Sequence, residues 1–279
     1  MGEIEQIVLR HDRRGMAKLA IAQPAHAYRD AATFLLTRYQ RVMILTGFYV
    51  NGTIETDGPL GALAIAHAIE TLGGRPTVVS DRYAIPILRQ VAPGIDLEEL
   101  AICERAESDR AVGALLARIQ PTLVISVERC GETARGRYLN MYGVDISPFT
   151  ARLDSLVSAA PSMAIGDGGN EIGMGNLATR LHDELGLAEP CHTSVDHLLL
   201  SAVSNWGAYG LLAALQQQTA VELTPSSGSQ HEMLVHLAQA GVVDGVTGKA
   251  EPSVDSFGPA YHRVILDDLR AVAAKPCSG

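Results

Sequence analysis

Short apolar runs that alternate with helix-spaced apolar residues constrain the fold of this chain most strongly. Residues 41–46 form a continuous apolar run ending at Gly47, and residues 123–127 form another. Such runs are typical of strands buried on both faces of a parallel sheet. Apolar residues between them recur at helical spacing, as in residues 112–119. The alternation predicts an α/β fold: an open, mostly parallel sheet with helices on both faces and long loops capping its carboxyl edge.

The length and composition of the chain allow one large folded domain or two small ones. Its 279 residues are 47% hydrophobic and only 19% charged, so a sizeable core can form and disorder is excluded. No internal repeat or low-complexity linker divides the chain. We therefore predict a single α/β domain over residues 1–279, in which residues 1–23 are a charged and irregular N-terminal segment.

The charge and the cysteine pattern exclude several classes of protein. A formal net charge of -9 argues against nucleic-acid and anionic-membrane binding, because both need a basic surface. No apolar run approaches the roughly 20 residues of a membrane-spanning helix, and the N-terminus does not read as a secretory signal. The expectation is a soluble cytoplasmic protein. Its four cysteines have no zinc-site spacing and are expected to be reduced thiols: Cys103, Cys130, Cys191 and Cys277.

Residues 163–176 are the stretch in which ligand-binding groups are most concentrated. A short apolar strand runs into a glycine-rich turn, and glycine allows backbone N–H groups to approach a ligand closely. Asp167, Asn170 and Glu171 add hard oxygen atoms that suit a divalent cation, a carboxylate held through that cation, or a phosphate. The alternative interpretation is a tight turn capped by Asp and Asn.

Acidic residues follow several of the predicted strands and should therefore meet at one edge of the sheet. These residues are Glu55, Asp57, Asp81, Glu128, Asp167 and Glu171. Ligands of open α/β sheets bind at that edge. Because so many carboxylates repel one another, they need a cation, Arg129 or protonation for compensation. A divalent metal ion, Mg²⁺ or Mn²⁺, is the simplest hypothesis.

Three common nucleotide and nucleophile motifs are absent. No G-x-G-x-x-G follows the first strand, so a dinucleotide site is not indicated. No Gly-Lys-Ser or Gly-Lys-Thr ends a phosphate-binding loop, and the G-x-S-x-G of α/β hydrolases is missing. The segment from Gly166 to Gly175 remains a weak phosphate-site candidate.

Four motifs give the sequence a family resemblance. Residues 47–59, 128–131, 166–176 and 204–207 are similar to the D-glutamate cyclase family, and the similarity extends from about residue 25 onward. The resemblance implies conversion of D-glutamate to 5-oxo-D-proline with loss of water, a hydro-lyase reaction. The mitochondrial animal members resemble a fusion of this region to another N-terminal domain, which the printed sequence does not contain.

The implied reaction gives each candidate residue a hypothetical role. A metal ion held by Glu55, Asp57, Asp167 and Glu171 would act as a Lewis acid on the γ-carboxylate. Glu128 would be the general acid or base, and Arg129 would clamp the substrate α-carboxylate. The remaining candidates are assigned to substrate binding: Asn51, Thr53, Gly168, Gly169, Asn170 and Asn205.

Two other functions stay open at this point. An acidic cluster beside a glycine-rich turn also suits a metal-dependent phosphate-ester hydrolase. A non-catalytic sensor of a small molecule could use the same fold, because fold alone does not determine function. The expected partner is a small-molecule substrate, an amino acid, and a homo-oligomer is a fair default.

Overall fold

A six-stranded parallel sheet forms the centre of the molecule, for which a computed structural model describes residues 1–21 and 23–275. A separate two-stranded antiparallel ribbon follows the first strand. The strands are β1 (Arg41–Leu45), β2 (Tyr49–Val50), β3 (Thr53–Ile54), β4 (Arg75–Ser80), β5 (Asp96–Glu99), β6 (Leu123–Val127), β7 (Ser162–Gly166) and β8 (His197–Leu200). The order in the sheet is β5-β4-β1-β6-β7-β8, and β2 pairs with β3.

Helices connect the strands and cover both faces of the sheet. They are α1 (Glu3–Val8), α2 (Met16–Ala20), α3 (Ala27–Leu36), α4 (Pro59–Thr71), α5 (Ile85–Val91), α6 (Arg105–Ile119), α7 (Asp154–Ser158), α8 (Ala178–Leu185), α9 (Ser204–Thr219), α10 (Ser227–Gln239) and α11 (Pro259–Ala273). Short 3₁₀ turns occur at Ser147–Phe149 and Met174–Leu177.

The strand order reverses between β1 and β6. From β1 the chain builds β4 and β5 on one side, then crosses back to place β6, β7 and β8 on the other. Leu45 of β1 is therefore in register with Val79 on one side and with Ser126 on the other. In open α/β sheets the ligand crevice lies outside the carboxyl ends of the strands at such a reversal.

Alternate residues of β1 face two different hydrophobic cores. Val42 and Ile44 belong to the larger core, whereas Met43 and Leu45 belong to a smaller core on the opposite face. All four side chains are fully buried. A strand buried on both faces needs apolar residues at every position, which is why residues 41–46 read as a continuous apolar run. The predicted fold class is confirmed.

The helix α9 is buried over most of its length. Its residues from Ser204 to Leu215 are all buried, and it packs against α3, α4 and α11. A helix that is apolar all round is expected at such a central position. Its N-terminus lies at the carboxyl edge of the sheet, where its first residues bond to the loop that follows β3.

The N-terminal segment departs from the sequence prediction. Residues 1–23 were predicted to be irregular, but they contain α1 and α2. Ile4, Ile7 and Val8 recur at helical spacing and are buried, because α1 packs against α9 and α11. The segment therefore docks onto the domain.

The third strand also differs from its predicted position. It was predicted at residues 100–103, but β5 covers Asp96–Glu99. The strand β5 pairs only with β4 at one edge of the sheet, so its side chains are mostly half-exposed or exposed. Charged residues are tolerated there, and hydrophobicity is a weak guide to such a strand.

Two further expectations concern the whole chain. Within residues 1–21 and 23–275, no helix has the length and apolarity required to cross a membrane. Cys103, Cys130 and Cys191 are free thiols, as expected. Cys277 lies outside the described residues.

Candidate active site

A cavity of about 920 Å³ lies at the carboxyl edge of the central sheet. Its lining combines loops that follow β1, β6 and β7 with two segments from late in the chain. The lining residues are 48–51, 139–146, 167–168, 170–171, 187–188 and 245–248, together with Arg14, Glu55, Glu128, Arg137, Phe149 and Glu189. Because it lies where the strand order reverses, the cavity is the candidate active site.

Three buried carboxylates converge at this edge. Asp57, Glu128 and Asp167 each offer one oxygen atom, and these atoms all lie within 4.8 Å of one another. Glu128 and Asp167 directly follow β6 and β7, and Asp57 comes from the loop between β3 and α4. We call these residues the carboxylate trio. Neighbouring parallel strands end side by side, which is how residues distant in sequence meet here.

Asp57 caps the N-terminus of α9. Its Oδ1 accepts from the backbone N–H groups of Gly58 (3.0 Å) and Asn205 (2.7 Å), and its Oδ2 accepts from Ser204 N–H (2.8 Å). Burial nevertheless raises the pKa of Asp57 to about 7, since desolvation outweighs these hydrogen bonds.

Glu128 occupies a strained position at the end of β6. Its φ of 46° lies in the left-handed region, which is uncommon for a residue with a side chain and is found often at functional sites. Its Oε2 accepts a 2.6 Å hydrogen bond from the Ser204 hydroxyl. Burial, followed by the negative charges of Glu171 and Asp167, raises the pKa of Glu128 well above its usual range.

Asp167 is paired through one oxygen only. Its Oδ1 accepts a 2.6 Å hydrogen bond from Arg14 Nη1, whereas its buried Oδ2 has no hydrogen-bond partner among the described residues. A buried oxygen atom without a hydrogen-bond donor destabilises the fold. It therefore indicates a position at which a bound ligand or cation would supply the missing interaction. Burial raises the pKa of Asp167 well above its ordinary value despite the nearby Arg14.

Arg14 is the main functional candidate that sequence reasoning missed. It lines the cavity and bonds Asp255 with both terminal nitrogens, at 2.7 Å and 3.0 Å. Burial alone would lower the pKa of Arg14, but the charges of Asp167 and Asp255 raise it well above its ordinary value. The available signal was the helical spacing of Ile4, Ile7 and Val8, which indicates that the N-terminal segment packs on the domain.

The trio can hold a metal ion. Each of its residues offers an oxygen atom to a common centre, and the unpartnered Asp167 Oδ2 is one of the buried atoms there. Hard oxygen donors are the ligands that Mg²⁺ and Mn²⁺ prefer. Of the four predicted metal ligands, Asp57 and Asp167 belong to the trio. Glu55 and Glu171 line the cavity but do not belong to the trio.

Arg129 does not line the cavity, which contradicts the substrate-clamp hypothesis. Its side chain is 1% exposed and bonds Gly47 O (2.7 Å), Asp81 Oδ2 (2.7 Å) and Ala151 O (2.9 Å). With both terminal nitrogens engaged in this way, the guanidinium group ties the loop after β1 to the end of β4. Arg129 is a structural residue in this geometry.

Asn205 and Thr53 also lie outside the cavity lining. The Asn205 side chain accepts from Gly58 N–H (3.0 Å) and Gly61 N–H (2.8 Å) and donates to Thr56 O (3.0 Å). Asn205 is fully buried, and its side chain orders the loop that carries Asp57. Thr53 has a buried hydroxyl without a hydrogen-bond partner among the described residues.

The glycine-rich turn uses its backbone N–H groups internally. Gly168 N–H and Gly169 N–H donate to the two carboxylate oxygens of Glu171, at 2.8 Å and 2.7 Å. These N–H groups are therefore not free to bind a substrate anion, contrary to the sequence hypothesis. Gly169 has a φ of 106° and packs against Leu181 and Leu187, so it serves the turn itself.

The remaining predicted residues line the cavity. Asn51 lies at an exposed position of the wall, and Glu55 is buried within it. Asn170 is also buried, and its amide nitrogen donates to Leu139 O (3.0 Å). Burial, followed by the charges of Asp255 and Asp57, raises the pKa of Glu55 well above its ordinary value. Glu55 makes no side-chain hydrogen bond to another described residue.

Comparisons with known proteins agree with the motif resemblance. Residues 4–270 match the family described as D-glutamate cyclase-like, C-terminal. The chain is also 26% identical to the human protein named D-glutamate cyclase, mitochondrial, over 81% of this chain and 44% of the human protein. It thus spans less than half the length of that relative. The family match begins at residue 4 and not near residue 25, so it includes Arg14.

Proposed function

The chain belongs to the D-glutamate cyclase-like family, and we propose that it closes D-glutamate into 5-oxo-D-proline with release of water. The observation that carries this proposal is the buried carboxylate trio, of which Glu128 and Asp167 line the large cavity beside Arg14. An α-amino dicarboxylic acid offers anionic groups to both a cation and an arginine. A buried acidic site supplies the proton carriers that the reaction needs.

The reaction forms one bond and breaks one bond. The α-nitrogen attacks the γ-carbon, and one γ-oxygen leaves as water. Starting from the ammonium form, two protons leave nitrogen and end on the departing oxygen, so no other reactant is consumed. The protein must therefore remove protons from nitrogen, deliver protons to oxygen and offset the negative charge of the γ-carboxylate.

Arg14 is proposed to bind the substrate α-carboxylate. Its side chain lines the cavity and is 24% exposed. Nη1 bonds Asp167 and Asp255 and Nη2 bonds Asp255, so these contacts fix the guanidinium group and leave the Nε–H and the second Nη2–H for a substrate carboxylate. A planar guanidinium group recognises carboxylates by paired hydrogen bonds. This assignment replaces the one made for Arg129.

The proposed cofactor is a divalent ion, Mg²⁺ or Mn²⁺, held by Asp57, Glu128 and Asp167. Its chemistry, when bound, would be to neutralise the γ-carboxylate and make the γ-carbon a better electrophile. Ser204 and Asn205 hold Asp57 in place through backbone N–H groups, so the ligand geometry depends on the N-terminus of α9.

Glu55 is proposed as the proton carrier. It lines the cavity outside the trio, and burial raises its pKa, which favours a protonated carboxyl group that can donate a proton. The sequence led us to assign the role of general acid or base to Glu128. We now assign it to Glu55, because Glu128 belongs to the proposed ion-binding trio.

The decisive experiment measures 5-oxoproline by NMR after incubation of the purified chain with D-glutamate or L-glutamate. Reactions run with Mg²⁺, with Mn²⁺ and with chelator. We expect conversion of D-glutamate that depends on the ion, and loss of both conversion and calorimetric ion uptake in Asp167→Asn. Exposed Asp183→Asn is the matched control. Phosphate release from esters without lactam formation would instead favour a hydrolase.

A further inference from the structure

The cavity is larger than a single amino acid requires. Its volume of about 920 Å³ is near the upper end of the range of about 300–1,000 Å³ in which proteins enclose drug-sized ligands. D-glutamate is much smaller than such ligands. A site built for glutamate alone would leave most of this space to water.

The two ends of the cavity differ in chemistry. The buried end carries charged groups, with Glu55, Glu128 and Asp167 each less than a tenth exposed. The outer end presents the apolar side chains of Met141, 45% exposed, and Tyr142, 71% exposed, beside the polar side chains of Asn51 and Asp145. A ligand that fills the cavity would therefore have a charged head and an apolar extension.

An aromatic wall joins the two ends. Tyr49 and Phe149 both line the cavity, and their rings stack at 4.6 Å with an interplanar angle of 11°. Tyr83 packs edge-on against Tyr49 at 4.8 Å. Both stacked rings are half-buried, so part of their surface remains open to a ligand. Aromatic walls of this kind favour apolar or aromatic ligand groups.

A hairpin brings the apolar outer residues over the cavity. Leu139 pairs with Asp145, and Asn140 Oδ1 accepts from the N–H groups of Tyr142 and Val144, both at 3.0 Å. Asn170, beside the buried end, holds the base of this hairpin through Leu139 O. The apolar outer end is therefore fixed to the acidic end by a direct hydrogen bond.

We propose that the preferred substrate is a γ-amide of D-glutamate with an apolar or aromatic group on the amide nitrogen. The glutamyl part would occupy the acidic end, and the amide substituent would lie along Tyr49 and Phe149 toward Tyr142. This inference rests on the proposed lactam-forming function and replaces water as the leaving group by an amine.

The atoms of this reaction balance without a further reactant. The α-nitrogen forms a bond to the γ-carbon, and the bond between that carbon and the amide nitrogen breaks. Two protons leave the α-ammonium group, and both end on the departing nitrogen, which leaves as an alkylammonium ion. The amide carbonyl carries no negative charge, so the nucleophile meets less electrostatic resistance than at a free carboxylate.

The test compares two amides whose leaving groups differ mainly in the aromatic ring: γ-D-glutamyl-benzylamide and γ-D-glutamyl-methylamide. We expect kcat/KM for 5-oxoproline formation to be at least about 10-fold higher for the benzylamide, the gain that roughly 1.4 kcal/mol of ring burial provides. D-glutamate is assayed in parallel. Equal values for the two amides would overturn the inference, while conversion of D-glutamate would still support the proposed function.

Substitutions in the cavity lining test where the amide substituent binds. Tyr49→Ala and Phe149→Ala should remove most of the benzylamide advantage, measured as the ratio of kcat/KM for the benzylamide to kcat/KM for the methylamide. Tyr142→Ala, at the exposed hairpin tip, is a second test in a position where folding is not at risk. Phe34→Ala is the control, because its half-buried ring packs on His197 away from the cavity. An advantage that survives all three wall variants would contradict the proposed placement.

A chain that forms no 5-oxoproline from any of the three compounds would defeat the proposed function. The inference about the cavity then has its own readout, the Kd of the two amides by calorimetry. Tighter binding of the benzylamide, lost in Tyr49→Ala, would support the cavity assignment, and equal Kd values would overturn it.

Discussion

Arg14 Nη1 lies 2.6 Å from Asp167 Oδ1, although 153 residues separate them in the chain. The contact joins the N-terminal segment to the turn after β7. Arg14 also bonds Asp255, whose φ of 51° places it in the left-handed region. The cavity thus combines residues from early and late in the sequence, and among the described residues of the N-terminal segment Arg14 alone lines it.

Replacing Arg14 with Gln should weaken both substrate binding and stability. Loss of a charged hydrogen bond to the α-carboxylate should raise KM for D-glutamate by about 10-fold to 100-fold. The free energy of unfolding should fall by about 2 kcal/mol, since Asp167 and Asp255 lose their countercharge in a partly buried pair. Steady-state kinetics and urea unfolding measure the two effects.

Arg10→Gln is the matched control for Arg14. Arg10 lies in the same N-terminal segment as Arg14 and forms an exposed ion pair with Asp268 of α11. Such a pair contributes at most about 1 kcal/mol to the free energy of unfolding. The KM of the Arg10→Gln variant for D-glutamate should equal that of the unmodified chain. An unchanged KM in Arg14→Gln would refute the assignment of Arg14 to the α-carboxylate.

Glu55→Gln should remove the proposed proton carrier while keeping the shape of the side chain. We expect kcat to fall by about 100-fold or more, the range typical of lost general acid–base catalysis. Ion uptake should persist, because Glu55 lies outside the trio. Glu99→Gln, on the exposed edge strand, serves as control in the same NMR assay. An unchanged kcat in Glu55→Gln would mean that another carboxyl group carries the proton.

The central strands could be predicted from sequence because their signal is local. In β1, every residue from Val42 to Leu45 is buried against one of two cores, and an apolar run reports that directly. The edge strand β5 was misplaced because an edge strand does not need such a run. Convergence of Asp57, Glu128 and Asp167 followed from topology, since parallel strands share one carboxyl edge.

The roles of the two arginines could not be predicted, because each depends on long-range contacts. Arg129 stands beside Glu128 in sequence, yet its side chain points to Asp81 and the loop after β1. The chain leaves β6 at Val127 and turns at Glu128, whose φ is 46°, so adjacency to a cavity residue is poor evidence for lining the cavity. Arg14 meets Asp167 and Asp255 only in the folded chain, and no spacing in the sequence encodes that contact.

Arg129→Met should destabilise the fold and leave catalysis intact in the molecules that fold. Removing one partner of a fully buried ion pair leaves Asp81 uncompensated and costs about 3–5 kcal/mol. The double variant Asp81→Asn/Arg129→Met should recover part of that loss, because it removes the unpaired charge. Denaturant unfolding and KM for D-glutamate are the measurements. A large rise in KM with an unchanged free energy of unfolding would indicate that Arg129 binds the substrate.

The buried carboxyl groups should make the stability of the ion-free protein fall as pH rises. The folded pKa of Asp57 is about 7, above the value of about 4 expected for an unfolded chain, so its contribution is fully present below pH 4 and is lost as pH rises through 7. Glu55, Glu128 and Asp167 have pKa values raised in the same direction. Tm without divalent ions should therefore decrease between pH 5 and pH 8.

Ion binding should reverse that trend, because a ligating carboxyl group must be deprotonated. Mn²⁺ should raise Tm more at pH 8 than at pH 5, and its uptake at pH 6 should release protons. Calorimetric titration in two buffers of different ionisation enthalpy counts those protons. Asp167→Asn should lose the Mn²⁺ effect, while exposed Asp183→Asn should keep it. Mn²⁺ uptake without proton release would contradict ion binding at the trio, since Asp57, with a pKa of about 7, would lose its proton on binding the ion at pH 6.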